Sequence, residues 1–292
     1  MNTLEHIPLP PVVQKRQAAA SRWFALAAAL LLLFLAYTAI LTTGALAAST
    51  TSIEATLLGR PITRVDCLFY EWRNLGNPSI ILLLTILLVA ACLLLGYRWP
   101  VLLYLLLLLI ACLVCEVVGK SIFTQPIPRA VSYGMAALSC PQLQGQPHSV
   151  HLEAAAGLWW KLPPISSQVV QQVHVFARQP DLFGGNDNFS SYPGGHAMRC
   201  SFLGVVIAWL CWRHIKPLAL RVPVTSAALL IFFSIGLMQL YLGAHLLTDT
   251  IAGYLFGLAA GCCAVGLLLR HAPKRRVPPT AEALSQEGRT LP

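Results

Sequence analysis

The chain has 292 residues, 57% of them hydrophobic and only 11% charged, with a formal net charge of +9. Soluble domains carry about 25% charged residues, so an ordinary soluble protein is excluded. The Lys and Arg residues flank apolar runs and do not interleave with aromatics, which excludes a nucleic-acid partner and leaves a membrane as the setting.

Residues 1–22 contain Lys15, Arg16 and Arg22 and read as an N-terminal tail, disordered through residue 20. Six apolar runs follow, near 23–47, 79–97, 100–119, 196–213, 222–242 and 246–269. Each is close to the roughly 20 residues that cross a bilayer as a helix. The predicted fold is an all-α integral membrane bundle of six transmembrane helices, one domain over 23–270, with 271–292 as a disordered C-terminal tail. The Ala-Leu-Ala within "GALAAST" (44–50) has the small-residue pattern of a signal-peptidase site. The preceding apolar run is longer than a signal core, so it is read as a retained span.

The basic residues assign the sides. Arg98, then Arg213, Lys216 and Arg221, then Arg270, Lys274, Arg275 and Arg276 fall on the same side as the N-terminal cations if all six runs span. Cytoplasmic loops collect Lys and Arg. Both termini are therefore expected in the cytoplasm, of a bacterial inner membrane, and the loops 48–78 and 120–195 in the periplasm. The first loop, with "LFYEWRNLGNPSI", is expected to hold a short interfacial helix, and "EAAAGLWWKLPP" (153–164) a second one. Of nine cysteines, seven lie in the spans and are read as packing groups. Cys67 and Cys140 are the pair in the outward loops, where a disulfide is the expectation.

Three places carry chemistry. Lys120 ends the third run, with Glu116 one turn before it; charges at that depth are functional candidates. "YPGGH" (192–196) puts two glycines and His196 at the mouth of the fourth run, and backbone N–H groups at a helix N-terminus favour an anion. "HLLTD" (245–249) spaces His245 and Asp249 four apart, so a carboxylate can orient an imidazole. The topology brings all of them to the outer surface of the membrane. No metal-ligand cluster or cofactor motif is visible.

This constellation resembles the type 2 phosphatidic acid phosphatase superfamily, over roughly residues 50 to 270. Lys120-x6-Ile127-Pro128, Pro193-Gly194-Gly195-His196 and Met238-Gln239-x5-His245-x3-Asp249 follow that family's three motifs in order and spacing. The resemblance implies a metal-independent phosphatase or phosphotransferase acting on a lipid phosphate. His245 would take the phosphoryl group, Asp249 would orient it, and His196 would protonate the leaving oxygen. Lys120 and the N–H groups of Gly194 and Gly195 would hold phosphate oxygens.

The match departs from the family at four polar positions. Ile127 and Gln239 stand where the family has arginines, and Gly194 and Met238 where it has serines. Hydrogen bonds to charged groups contribute roughly 1.5–3 kcal/mol each, so two missing arginines cost about two to four orders of magnitude in rate. Three readings remain open: Arg129 or Arg199 replaces the lost cations; the substrate is a phosphodiester, as for the headgroup chemistry of sphingomyelin synthases; or the protein binds a lipid phosphate without turning it over. Which lipid, which acceptor and which oligomeric state are not encoded in any motif.

Overall fold

A computed structural model describes residues 11–46, 50, 53–54, 56–57, 64–125, 177–178 and 191–271. Helices run in the order α1 (Pro11–Thr42), α2 (Arg64–Asn74), α3 (Pro78–Leu94), α4 (Trp99–Ile122), α5 (Gly195–His214), α6 (Leu218–Tyr241) and α7 (Leu247–Arg270). A two-residue antiparallel ladder pairs β1 (Phe123–Thr124) with β2 (Ala177–Arg178). Five of the helices are long and apolar enough to cross a membrane. Residues Leu68–Asn74 of α2 and α3, joined at a 55° bend, together meet the same length and composition and form the candidate sixth crossing. All six expected spans are thus helices, and the protein is an all-α integral membrane bundle.

Two helix boundaries differ from the sequence reading. α1 begins at Pro11, so residues 11–20, expected to be disordered, are helical. Proline is favoured at the first helical position, and Gln, Lys, Arg and Ala in "QKRQAAA" are strong helix formers, so the span extends without a break. At the other end, α7 begins at Leu247, which leaves His245 in the preceding turn and not on the helix. Gly243, at φ 69°, lets the chain reverse there, with Ala244 N–H donating to Gln239 C=O at 3.0 Å.

α5 and α7 form the centre of the bundle, with α1 against α7 and α6 against α5. Their close approach rests on a stripe of small residues along α7. A Cβ on Gly253 would lie 2.3 Å from the Gly194 carbonyl oxygen, and one on Gly257 2.1 Å from that of Met198. Gly261 continues the stripe against Val205. Between membrane helices small residues permit such backbone contact, and packing replaces the hydrophobic effect as the driving force. The outer helices α1, α3, α4 and α6 turn leucines such as Leu32, Leu83, Leu107 and Leu230 to the outside. Seven free cysteines are described, and Cys92, Cys112 and Cys200 are buried within the main apolar cluster. Cys140 of the expected Cys67–Cys140 bridge and the 153–164 helix lie outside the described residues.

Candidate active site

The site is assembled at one end of the bundle by four close backbone contacts. The end of α4 packs on the turn before α5: a Cβ on Gly119 would sit 2.3 Å from Pro193 Cδ, and one on Gly195 would sit 2.0 Å from Glu116 Cδ. The corner between α2 and α3 packs on α5 itself, where a Cβ on Gly76 would lie 2.6 Å from His196 Cδ2. The turn before α5 is tied to α7 by the Gly194 N–H, which donates to the Asp249 carbonyl at 2.9 Å.

That last bond corrects an expectation. Gly194 was expected to offer its N–H to a phosphate. Here the amide is taken up by Asp249, because the close crossing of α5 and α7 brings a helix carbonyl directly against it. Gly195, lacking a side chain, leaves room for the Glu116 carboxylate.

His245 and Asp249 are paired through Nδ1 and Oδ2 at 3.3 Å. A carboxylate only accepts, so a proton lies on Nδ1, and in the neutral imidazole Nε2 keeps its lone pair. Asp249 is fully buried, and the same Oδ2 accepts from Leu246 N–H at 2.9 Å. The carboxylate therefore caps α7 while it orients the imidazole. Glu54, also buried, accepts from Leu247 N–H at 2.7 Å and completes the cap. This capping is why the helix starts after His245 and not at it. Across the gap, the His196 and His245 ring centroids are 6.5 Å apart, with the rings inclined at 59°. His196 Nε2 lies 3.1 Å from Asn77 Oδ1. An amide oxygen only accepts, which places the His196 proton on Nε2.

Cations surround the pair. Lys120 Nζ donates to Glu116 Oε1 at 2.8 Å, and Arg199 Nη1 donates to Glu116 Oε2. Arg199 is 1% exposed and also donates to the Gly76 carbonyl, through Nη2 at 3.2 Å. Its guanidinium thus locks the α2–α3 corner to α5. Arg129 lies outside the described residues, as does Ile127.

Sequence reasoning missed Arg73. From the last turn of α2 its Nη1 donates to Gln239 Oε1 at 3.4 Å, while its guanidinium stacks 4.3 Å from the Tyr70 ring centre. Gln239 is 3% exposed, and its Nε2 has no hydrogen-bond partner among the described residues. His196 stands in the combined field of Arg199, His245, Arg73 and Lys120. The signal in the sequence was the aromatic and charged "FYEWRN" segment, read as interfacial anchoring only. Asn77, in the same stretch, was likewise not singled out. Tyr192, just ahead of the site, shares a hydrogen bond with Thr38; burial raises the pKa of its phenol, although that bond opposes the rise. Among the described residues no group of three or more His, Cys, Asp or Glu is arranged to hold a metal ion.

A family model described as the PAP2 superfamily matches residues 100–272, more than half of the chain. The chain belongs to the PAP2 superfamily. The fold of this PAP2 protein is similar to the crystal structure of a transmembrane PAP2-type phosphatidylglycerolphosphate phosphatase from Bacillus subtilis. The TM-score is 0.53 at 19% identity, over 86% of this chain and 98% of that one. A search of curated proteins finds no match. PAP2 membership supports a phosphatase that acts on lipid phosphates in a membrane.

Proposed function

We propose that this PAP2 protein removes or transfers the phosphoryl group of a lipid phosphate, at the periplasmic surface of a bacterial inner membrane, through a phosphohistidine on His245. The observation that carries the reading is the Asp249–His245 pair, which engages Nδ1 and leaves Nε2 as the nitrogen available for attack, with the His196 ring 6.5 Å away. Nε2 attacks phosphorus and forms an N–P bond as the bond to the lipid oxygen breaks. His196, charged to the imidazolium beside the arriving phosphate, passes one proton to that leaving oxygen and keeps the Nε2 proton held by Asn77 Oδ1. Water, or an acceptor hydroxyl, then attacks the phosphohistidine, and its proton returns to His196. Phosphoryl transfer asks mainly for positioning and neutralisation of charge. Lys120 and Arg73 serve the phosphate oxygens, with the unpartnered Gln239 Nε2 as a neutral donor. Arg199 holds the frame and contributes charge. This assigns to Arg73 and Arg199 the task left by Ile127 and Gln239.

A second reading, phosphodiester headgroup chemistry, is favoured by Glu116. Its carboxylate accepts from both Lys120 and Arg199 and so offsets part of the cationic charge at the site. A phosphodiester carries one negative charge, and a monoester close to two.

The test is phosphate release by the purified protein from a panel of lipid monophosphates and diphosphates, beside His245→Ala. Release by the wild type that falls at least 1,000-fold in the variant, roughly 4 kcal/mol, is the expected result. Equal release by both proteins overturns the mechanism. No release from either, with headgroup transfer from a phosphodiester lipid, selects the second reading.

A further inference from the structure

A second concentration of charge lies at the opposite end of the bundle. It surrounds a cavity of about 570 Å³ lined by Arg16, Gln17 and Ser21 of α1, Arg98 of the link before α4, and Arg270 and His271 at the end of α7. Arg98 and Lys120 are separated by the length of α4, about 33 Å at the helical rise, so this cavity is distinct from the histidine site. Three arginines from three separate chain segments line one concave volume. α1 and the 95–98 link contain no acidic residue, and the one in α7, Asp249, sits in its first turn at the far end. Among the described residues, every ion pair lies at the histidine end.

Topology explains why arginines collect on one side of a membrane protein, but not why they line a cavity. Like charges held side by side repel, and among the described residues no carboxylate stands with these three arginines. An anion relieves it. The arginine fork matches phosphate oxygens two at a time, while Gln17, Ser21 and His271 add further hydrogen-bonding groups. Val13 and Leu269 give the wall an apolar part, as a molecule rooted in the bilayer needs. Arg270 also lies 4.6 Å over the Phe24 ring, which fixes its guanidinium at the rim. Basic pockets between membrane helices suit anionic lipid headgroups.

We infer that this cavity binds a phosphate-bearing anion, as a lipid headgroup or as free phosphate, and thereby ties α1 to α4 and α7. The inference does not depend on the reaction at His245. The full chain is placed in nanodiscs of phosphatidylcholine, and its thermal midpoint is followed as phosphatidylglycerol, or separately inorganic phosphate, is added. The comparison protein carries Arg16→Gln, Arg98→Gln and Arg270→Gln together. Expected is a saturable rise in the wild-type midpoint, with apparent affinity about fivefold weaker for each arginine removed. A rise with phosphatidylglycerol assigns a lipid headgroup, and one with inorganic phosphate alone assigns a soluble anion. No rise with either ligand, or an equal rise in the triple variant, overturns the inference. If the triple variant does not fold, Arg98→Gln alone supplies the comparison, since this link residue is exposed.

Discussion

Charge placement around His196 has consequences that single substitutions expose. Gln239→Arg, taken alone, puts a second guanidinium against Arg73, whose Nη1 already donates to Gln239 Oε1. Like charges at that range repel, so this variant is expected to lose activity, not gain it. Arg73→Ala is expected to lower kcat/KM by about 10- to 100-fold, the value of one or two charge-assisted hydrogen bonds. The double variant Arg73→Ala/Gln239→Arg, which moves the cation from α2 to α6, is expected to recover most of that loss. Steady-state rates on one lipid phosphate decide all three. If the double variant is no better than Arg73→Ala, Arg73 acts by packing and not by charge. Glu116 offers the converse experiment. Glu116→Gln removes a negative charge from between Lys120 and Arg199, so KM for a doubly charged monoester is expected to fall several-fold relative to that for a phosphodiester. An unchanged ratio of the two KM values would show that Glu116 has no part in charge selection.

At the scale of the element, the crossing of α5 and α7 holds the two histidines in register. Its closest point is Gly257, where any Cβ would meet the Met198 carbonyl oxygen at 2.1 Å. Gly257→Val therefore has to push two helix backbones apart. Overpacking of this kind costs typically 1–3 kcal/mol, and the shift carries His196 away from His245. A lower thermal midpoint together with a fall of tenfold or more in kcat is the expected outcome. A variant with unchanged midpoint and rate would mean that the helices do not pack through this stripe. The spacing Gly253, Gly257, Gly261 is visible in the sequence as glycine every fourth residue. Its meaning was not, because the same pattern serves any close helix partner and nothing in it names α5. α2 shows the same limit. Its aromatic and basic composition announces an interfacial helix, but the docking of Trp72 Nε1 on Ser234 Oγ at 2.9 Å, which turns Arg73 inward, depends on where α6 lies.

For the whole molecule, the expected orientation places residues 120–195 and the histidine site outside the cytoplasm, with the arginine cavity at the cytoplasmic end. A cysteine engineered at Ser149, in a background without Cys67 and Cys140, is expected to react with a membrane-impermeant maleimide in intact cells. Labelling only after lysis would invert the topology. Six spans, their helical state and the ends on which Lys and Arg collect were legible from the sequence alone, because hydrocarbon permits so few ways of satisfying a backbone. The residues His196, His245, Asp249 and Lys120 were legible for a related reason: polar groups at the ends of apolar runs stand out against everything around them. The tertiary structure alone decided which of these groups touch. It withdrew the Gly194 amide to the α5–α7 contact, set His245 in a turn capped by its own partner Asp249, and brought Arg73, Asn77 and Glu54 from distant segments to the site. Such contacts follow from how closely helix surfaces fit, and that depends on pairs of residues far apart in the chain that leave no periodic trace in the sequence.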